Sequence, residues 1–294
     1  MTINKDTLRG TFPAIVTPFS KDGANVDFDS LHNLIEYQIS ARVDGLVVCG
    51  STGEAQTLTD DEYQKVVSFT KEKVNGRVPV IAGIGTNSTQ KGIAAAKLLD
   101  EIAVDGILLV APMYNKPTQK GIIAHFEQIK RATRLPIIAY NVPGRTSVNI
   151  LPATIATLVK QGTICGLKEA SGSMDQVLDI LSLVRDDCAV VSGEDSLVCA
   201  LMLSGGKGVI SASANIIPEI FVEITSAALN KEWERAKEAQ YKALPWVRLM
   251  FAETNPIPVK TAVALKGIIK YPTLRLPLMP AEDATIEKIK ALLG

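Results

Sequence analysis

The chain has 294 residues, 47% hydrophobic and 21% charged, and its 31 Lys and Arg balance 31 Asp and Glu to a formal net charge of zero. That balance excludes the basic footprint of a nucleic-acid-binding protein and a substrate gathered by bulk charge. With two histidines, and four cysteines that show no Cys-x-x-Cys pairing, a Ser-His-Asp triad or a His-based zinc site has very little to draw on.

The polar start, Met1-Thr2-Ile3-Asn4-Lys5-Asp6, lacks an apolar signal core, and no apolar run is long enough to span a bilayer. A cytoplasmic protein without membrane partners is expected. Short apolar runs then alternate with amphipathic stretches. Strands are expected over 11–16, 45–49, 78–84, 106–110, 136–140, 165–169, 189–192 and 208–211. Helices are expected over 29–41, 60–73, 88–100, 118–132, 152–160, 174–185, 197–203 and 218–229. Thr59-Asp60-Asp61-Glu62 reads as a capping box, and Leu151-Pro152 puts proline in a first helical turn. His32 and His125 fall on these helices and read as surface or packing residues. Cys49 and Cys165 fall in strands and read as buried thiols.

Eight β–α alternations without a linker-like break place the chain in the α/β class, as a (β/α)8 TIM barrel over residues 1–224. An open doubly wound sheet is the other arrangement, but no dinucleotide fingerprint follows the first strand. Residues 225–294, punctuated by prolines, read as a helical C-terminal appendix packed on the barrel.

In a barrel, reacting groups sit at the C-terminal ends of the strands and on the loops that follow. Lys168 ends the sixth strand, where a buried parallel strand would ordinarily continue with valine or isoleucine. Burial disfavours the ammonium, and a lysine with a lowered pKa is a nucleophile for a ketone. A lysine that snorkels to solvent is the plainer alternative. Period-two alternation turns Lys168, Gly166 and Ile164 inward and Cys165 and Leu167 outward, with Gly166 leaving room beneath the lysine. Gly50-Ser51-Thr52-Gly53-Glu54 follows the second strand and offers backbone N–H groups suited to a small carboxylate, or else is simply a glycine-rich turn. Tyr140 ends the fifth strand as an acid–base candidate or a core aromatic. Arg145, in Tyr140-Asn141-Val142-Pro143-Gly144-Arg145-Thr146, suits two-point carboxylate recognition or a surface loop. Tyr114 follows the fourth strand, and Ser192-Gly193-Glu194-Asp195 the seventh. Ser204-Gly205-Gly206-Lys207-Gly208 looks like a phosphate cradle but precedes the eighth strand, so it reads as a helix stop on the opposite face. Lys260 reads as a structural residue on a polar-faced helix.

With these motifs in place, the chain resembles the pyruvate-dependent class I aldolase superfamily that includes N-acetylneuraminate lyase, and within it the dihydrodipicolinate synthase branch. The superfamily shares the Gly50–Glu54 motif and the Lys168 strand. Arg145 and Glu253-Thr254-Asn255-Pro256-Ile257-Pro258-Val259-Lys260 are similar to that branch. The resemblance implies a Schiff base of Lys168 with pyruvate and attack of its enamine on L-aspartate 4-semialdehyde, with no metal or organic cofactor. It implies that Tyr140 shuttles protons relayed by Thr52 and Tyr114, and that Tyr114 enters a neighbouring subunit's site. It also implies that Ser51 and Thr52 bind the pyruvate carboxylate, Arg145 that of the semialdehyde, and that Gly193 and Ile210 line the pocket. A homotetramer, built as a dimer of tight dimers, follows from the same likeness. A sister lyase acting on another pyruvate adduct and a catalytically silent oxoacid-binding barrel are the competing readings. Ser51 stands where the family usually has threonine. Lys91 and Met113, with Asp60 and Tyr63, replace residues typical of lysine-inhibited relatives, so weak or absent inhibition by lysine is expected.

Overall fold

Strands that are covered on both faces read as short continuous apolar runs, because neither face meets water. The computed structural model describes residues 2–294 and contains eight such strands. They are β1 (Gly10–Pro13), β2 (Leu46–Val48), β3 (Val80–Ile84), β4 (Gly106–Val110), β5 (Ile137–Asn141), β6 (Gly166–Glu169), β7 (Ala189–Ser192) and β8 (Gly208–Ser211). Every strand residue is buried. All neighbours pair in parallel in the order β1-β8-β7-β6-β5-β4-β3-β2. A bridge between Ala14 and Val47, with Ile15 N–H donating to Val47 O at 2.9 Å, closes β1 onto β2. The sheet is thus a barrel rather than the open alternative.

Helices separate the strands at the expected places. Thr59 and Glu62 form the reciprocal capping box at the head of the helix Asp60–Val74, and Pro152 opens Pro152–Lys160. A short helix, Pro143–Thr146, follows β5 where only a loop motif was legible. The final barrel helix, Pro218–Leu229, runs past residue 224, and Trp233–Met250, Ile257–Leu265 and Asp283–Leu293 form the C-terminal appendix. No helix among the described residues is long and apolar enough to cross a membrane. Ser204–Lys207 lies before β8, which begins at Gly208, and Gly206 N–H donates to Leu201 O at 2.9 Å, as a helix stop does.

Two apolar layers result. The outer one lies between strands and helices; the inner one fills the barrel with Phe12, Val47, Ile81, Leu108, Ile138, Val191 and Ile210. Leu167 faces outward and Gly166 inward, as alternation requires. The alternation does not extend below β6: Ile164 joins the outer core while Cys165 packs against the inner one, because the ladder begins only at Gly166. The room at Gly166 is taken by Leu8, whose Cδ2 would lie 2.4 Å from an added Cβ. Lys260 is helical but not polar-faced. It is wholly buried, with its Nζ 2.5 Å from the carboxylate of Glu54.

Gly83 on β3 marks where the barrel wall meets the turn after β2. An added Cβ would stand 2.4 Å from the Cys49 carbonyl oxygen, which is backbone and cannot rotate away. Gly83→Ala is therefore expected to destabilise by about 1–3 kcal/mol, the usual cost of overpacking. Thermal unfolding checks this, and an unchanged Tm would contradict it.

Candidate active site

Parallel pairing of β5 with β6 sets Tyr140 directly opposite Lys168. Both point into the barrel at its C-terminal mouth, and the Lys168 Nζ lies 4.4 Å from the Tyr140 ring centroid. Lys168 is only 7% exposed, so it does not snorkel. Burial pulls its pKa down to about 8, against the opposing pull of Asp195 and Glu194, and the Arg145 cation pushes the same way as burial. The Tyr140 phenol is pushed up to about 12, chiefly by burial, and stays protonated near neutral pH.

Behind these two side chains the strand ends are locked together. Glu169 is buried and accepts from Asn141 Nδ2 at 3.0 Å and from Ser171 N–H at 2.7 Å. Asn141 Oδ1 in turn accepts Ile150 N–H at 2.9 Å. These neighbours of Lys168 and Tyr140 tie β5 and β6 together at the barrel mouth.

A cavity of about 70 Å³ surrounds the lysine, lined by Ser51, Thr52, Tyr140, Arg145, Lys168, Gly193 and Asn255 among others. Gly193 is glycine for a local reason: a Cβ there would lie 2.6 Å from Ala170 Cβ and 3.0 Å from Lys168 Cε. A wider cavity of about 350 Å³ adjoins it and shares Ser51, Tyr140, Arg145 and Asn255 as walls. Arg145 donates from Nη2 to Asn255 O at 3.0 Å.

Two expected placements differ. Ile210 stays in the inner core, fully buried, and Ala212 lines the lysine cavity in its place. Thr52 is not the hydroxyl at the tyrosine. Its Oγ1 accepts from Asn255 Nδ2 at 3.0 Å, whereas the Ser51 hydroxyl hydrogen-bonds the Tyr140 phenol and offsets part of the effect of burial. Tyr114 is 89% exposed, at φ 68°, and does not line its own chain's cavity. Asn255, Glu194 and Asp195 had no individual role in the sequence reading, although both of their segments were singled out. Asp195 is buried with its Oδ2 accepting Ser213 N–H at 2.8 Å, and burial raises its pKa. Asp60, Tyr63, Lys91 and Met113 line one cavity of about 430 Å³, which shares Gln56, Ile84 and Met113 with the wider cavity.

A model of the dihydrodipicolinate synthetase family matches residues 7–294. The 4-hydroxy-tetrahydrodipicolinate synthase of Methanospirillum hungatei is 44% identical over 287 residues, covering 97% of this chain and 98% of that protein. Its namesake from Geobacter metallireducens is 46% identical over 285 residues, covering 97% of each. The crystal structure of Thermotoga maritima dihydrodipicolinate synthase superimposes with a TM-score of 0.95 at 42% identity, covering 98% of each chain. That of the Acinetobacter baumannii dihydrodipicolinate synthase, complexed with pyruvate, has a TM-score of 0.94 at 39% identity and covers 97% of this chain and 98% of its own. Fold, site geometry and full-length likeness agree, and the chain belongs to the dihydrodipicolinate synthetase family.

Proposed function

We propose that this chain is a 4-hydroxy-tetrahydrodipicolinate synthase, a lyase that condenses pyruvate with L-aspartate 4-semialdehyde in the branch leading to diaminopimelate and lysine. The observation that carries the reading is Lys168, buried at the barrel mouth against Tyr140 with its pKa drawn to about 8. Its free amine attacks the pyruvate carbonyl, and loss of water gives an imine. Loss of a methyl proton gives the enamine, whose carbon attacks the semialdehyde aldehyde. The amine of the adduct then adds to the imine carbon, closing the ring and expelling the lysine.

The other groups take roles that their positions support. Tyr140 moves protons and Ser51, its hydrogen-bonding neighbour, relays them, in place of Thr52. The N–H groups of Ser51 and Thr52 hold the pyruvate carboxylate. Arg145 has one donor tied to Asn255 and presents the rest of its guanidinium to the semialdehyde carboxylate. Tyr114, exposed on its own chain, completes the site of a partner in a tight dimer, and two such dimers make a tetramer in the cytoplasm. Gly193 keeps space beside the lysine, and Ile210 supports the floor beneath it.

Intact mass after pyruvate and borohydride should show a single pyruvyl adduct, absent in Lys168→Ala. No adduct on the unaltered chain would overturn the mechanism. Only the unprotonated amine attacks, so trapping should rise with pH by about tenfold per unit below the lysine pKa of about 8 and level off above it. A flat profile between pH 6 and about 8 would contradict that assignment. Arg145→Ala should still trap pyruvate but lose roughly 10–100-fold in semialdehyde turnover, the loss expected from removing charged hydrogen bonds. Unchanged turnover would point to a sister lyase. Free lysine should inhibit weakly or not at all, because cationic Lys91 in the cavity with Met113 repels an ammonium. A micromolar inhibition constant in a steady-state assay would contradict this.

A further inference from the structure

The turn that carries Ser51 and Thr52 is bracketed by two non-glycine residues in left-handed backbone conformations, Cys49 at φ 54° and Glu54 at φ 52°. Side chains disfavour this region, so such residues persist only where their surroundings hold them. Glu54 is held by its carboxylate. Oε1 lies 2.5 Å from the Lys260 Nζ, with both side chains wholly buried, and Oε2 accepts the Arg275 N–H at 3.1 Å. The Lys260 Nζ sits 4.0 Å from the Phe19 ring centroid, and the Arg275 guanidinium lies 4.3 Å from the same centroid.

A buried ion pair is a weak source of stability, because desolvation offsets its attraction and apolar replacements are often as stable. This one lies immediately beyond the site. The turn itself donates Gly53 N–H to Gly50 O and Glu54 N–H to Ser51 O, both at 3.1 Å. The N–H groups of Ser51 and Thr52 have no hydrogen-bond partner among the described residues. Where they point is set by the shape of the turn. The segment that supplies Lys260 grips the same turn a second time, through Asn255 Nδ2 to Thr52 Oγ1.

We propose that Glu54 and Lys260 are positioning residues: their buried ion pair holds the turn after β2 so that the Ser51 and Thr52 N–H groups receive the carboxylate of the oxoacid that reacts at Lys168. The proposal rests on the pyruvate-imine reading above. It assigns the C-terminal appendix a part in substrate binding that neither residue plays by touching substrate.

The test is borohydride trapping as a function of pyruvate concentration, on the full chain. Glu54→Gln/Lys260→Met removes both charges while keeping similar volume. Glu54→Asp keeps both charges and shortens the reach by one methylene, so it decides the matter even if the double variant fails to fold. Circular dichroism and thermal unfolding fix the folded fraction. The expected result is a rise of about tenfold in the pyruvate concentration for half-maximal trapping in the double variant, and a smaller rise in Glu54→Asp. The limiting trapping rate should stay near that of the unaltered chain. If Tm falls while half-saturation is unchanged in every folded variant, the pair is structural only and the proposal fails. If the unaltered chain traps no pyruvate, the reading it rests on fails instead.

Discussion

The constraint on which the site depends is the desolvation of one amine inside a closed barrel. Closing eight strands leaves an interior that only apolar side chains fill at low cost, and a lysine placed there favours its neutral form. Depth alone would bury Lys168 without making it useful. Its strand end puts it at the mouth, and the register of β5 and β6 sets a protonated phenol against it. Asp195 and Glu194 pull in the opposite sense, which keeps the pKa near neutrality rather than far below it. Poise between these effects leaves an amine that can gain or lose its proton near neutral pH.

The barrel does not complete the site by itself. The wider cavity lies against the strand ends of β2 and β3, and the C-terminal appendix supplies part of its wall with Asn255, Pro256, Pro277 and Leu278. Arg275 binds this wall to the barrel. Its guanidinium pairs with Glu62 at 2.6 Å and donates to Gly23, Ala24 and Thr57 carbonyls, joining the loops that follow β1 and β2. One residue thereby satisfies several turn carbonyls that would otherwise compete for water at the edge of the pocket.

Much of this was legible in the sequence because barrel strands and their helices carry local signals. Apolar runs, the capping box at Thr59 and Pro152 marked elements whose ends shift by only a few residues in the structure. Lys168, Tyr140, Arg145 and Gly193 were legible because a fixed topology sends strand ends to one rim. What was not legible depends on contacts between distant segments. Ser51 and Thr52 are adjacent and both carry hydroxyls. Only the approach of Asn255, remote in sequence, decides that Thr52 is occupied and Ser51 faces the phenol. Ile164 and Cys165 reversed because alternation applies within a ladder, and the ladder starts one residue later. Ile210 differs for a related reason: a strand residue can face the barrel axis and still be buried in the inner core beneath the cavity.

Lys260 makes the same point about chemistry. Two lysines are buried among the described residues, and burial pulls both pKa values down. Lys168 meets no carboxylate at bonding distance and faces a cavity, so its neutral amine is accessible to a carbonyl. Lys260 has Glu54 at 2.5 Å and an aromatic face beneath it, and its side chain is wholly buried. Its charge is compensated where it lies. Sequence context around each residue is helical or extended, apolar and unremarkable in charge, so neither fate is written locally. The partner across the fold decides which buried lysine lies beside a cavity and which is tied into an ion pair.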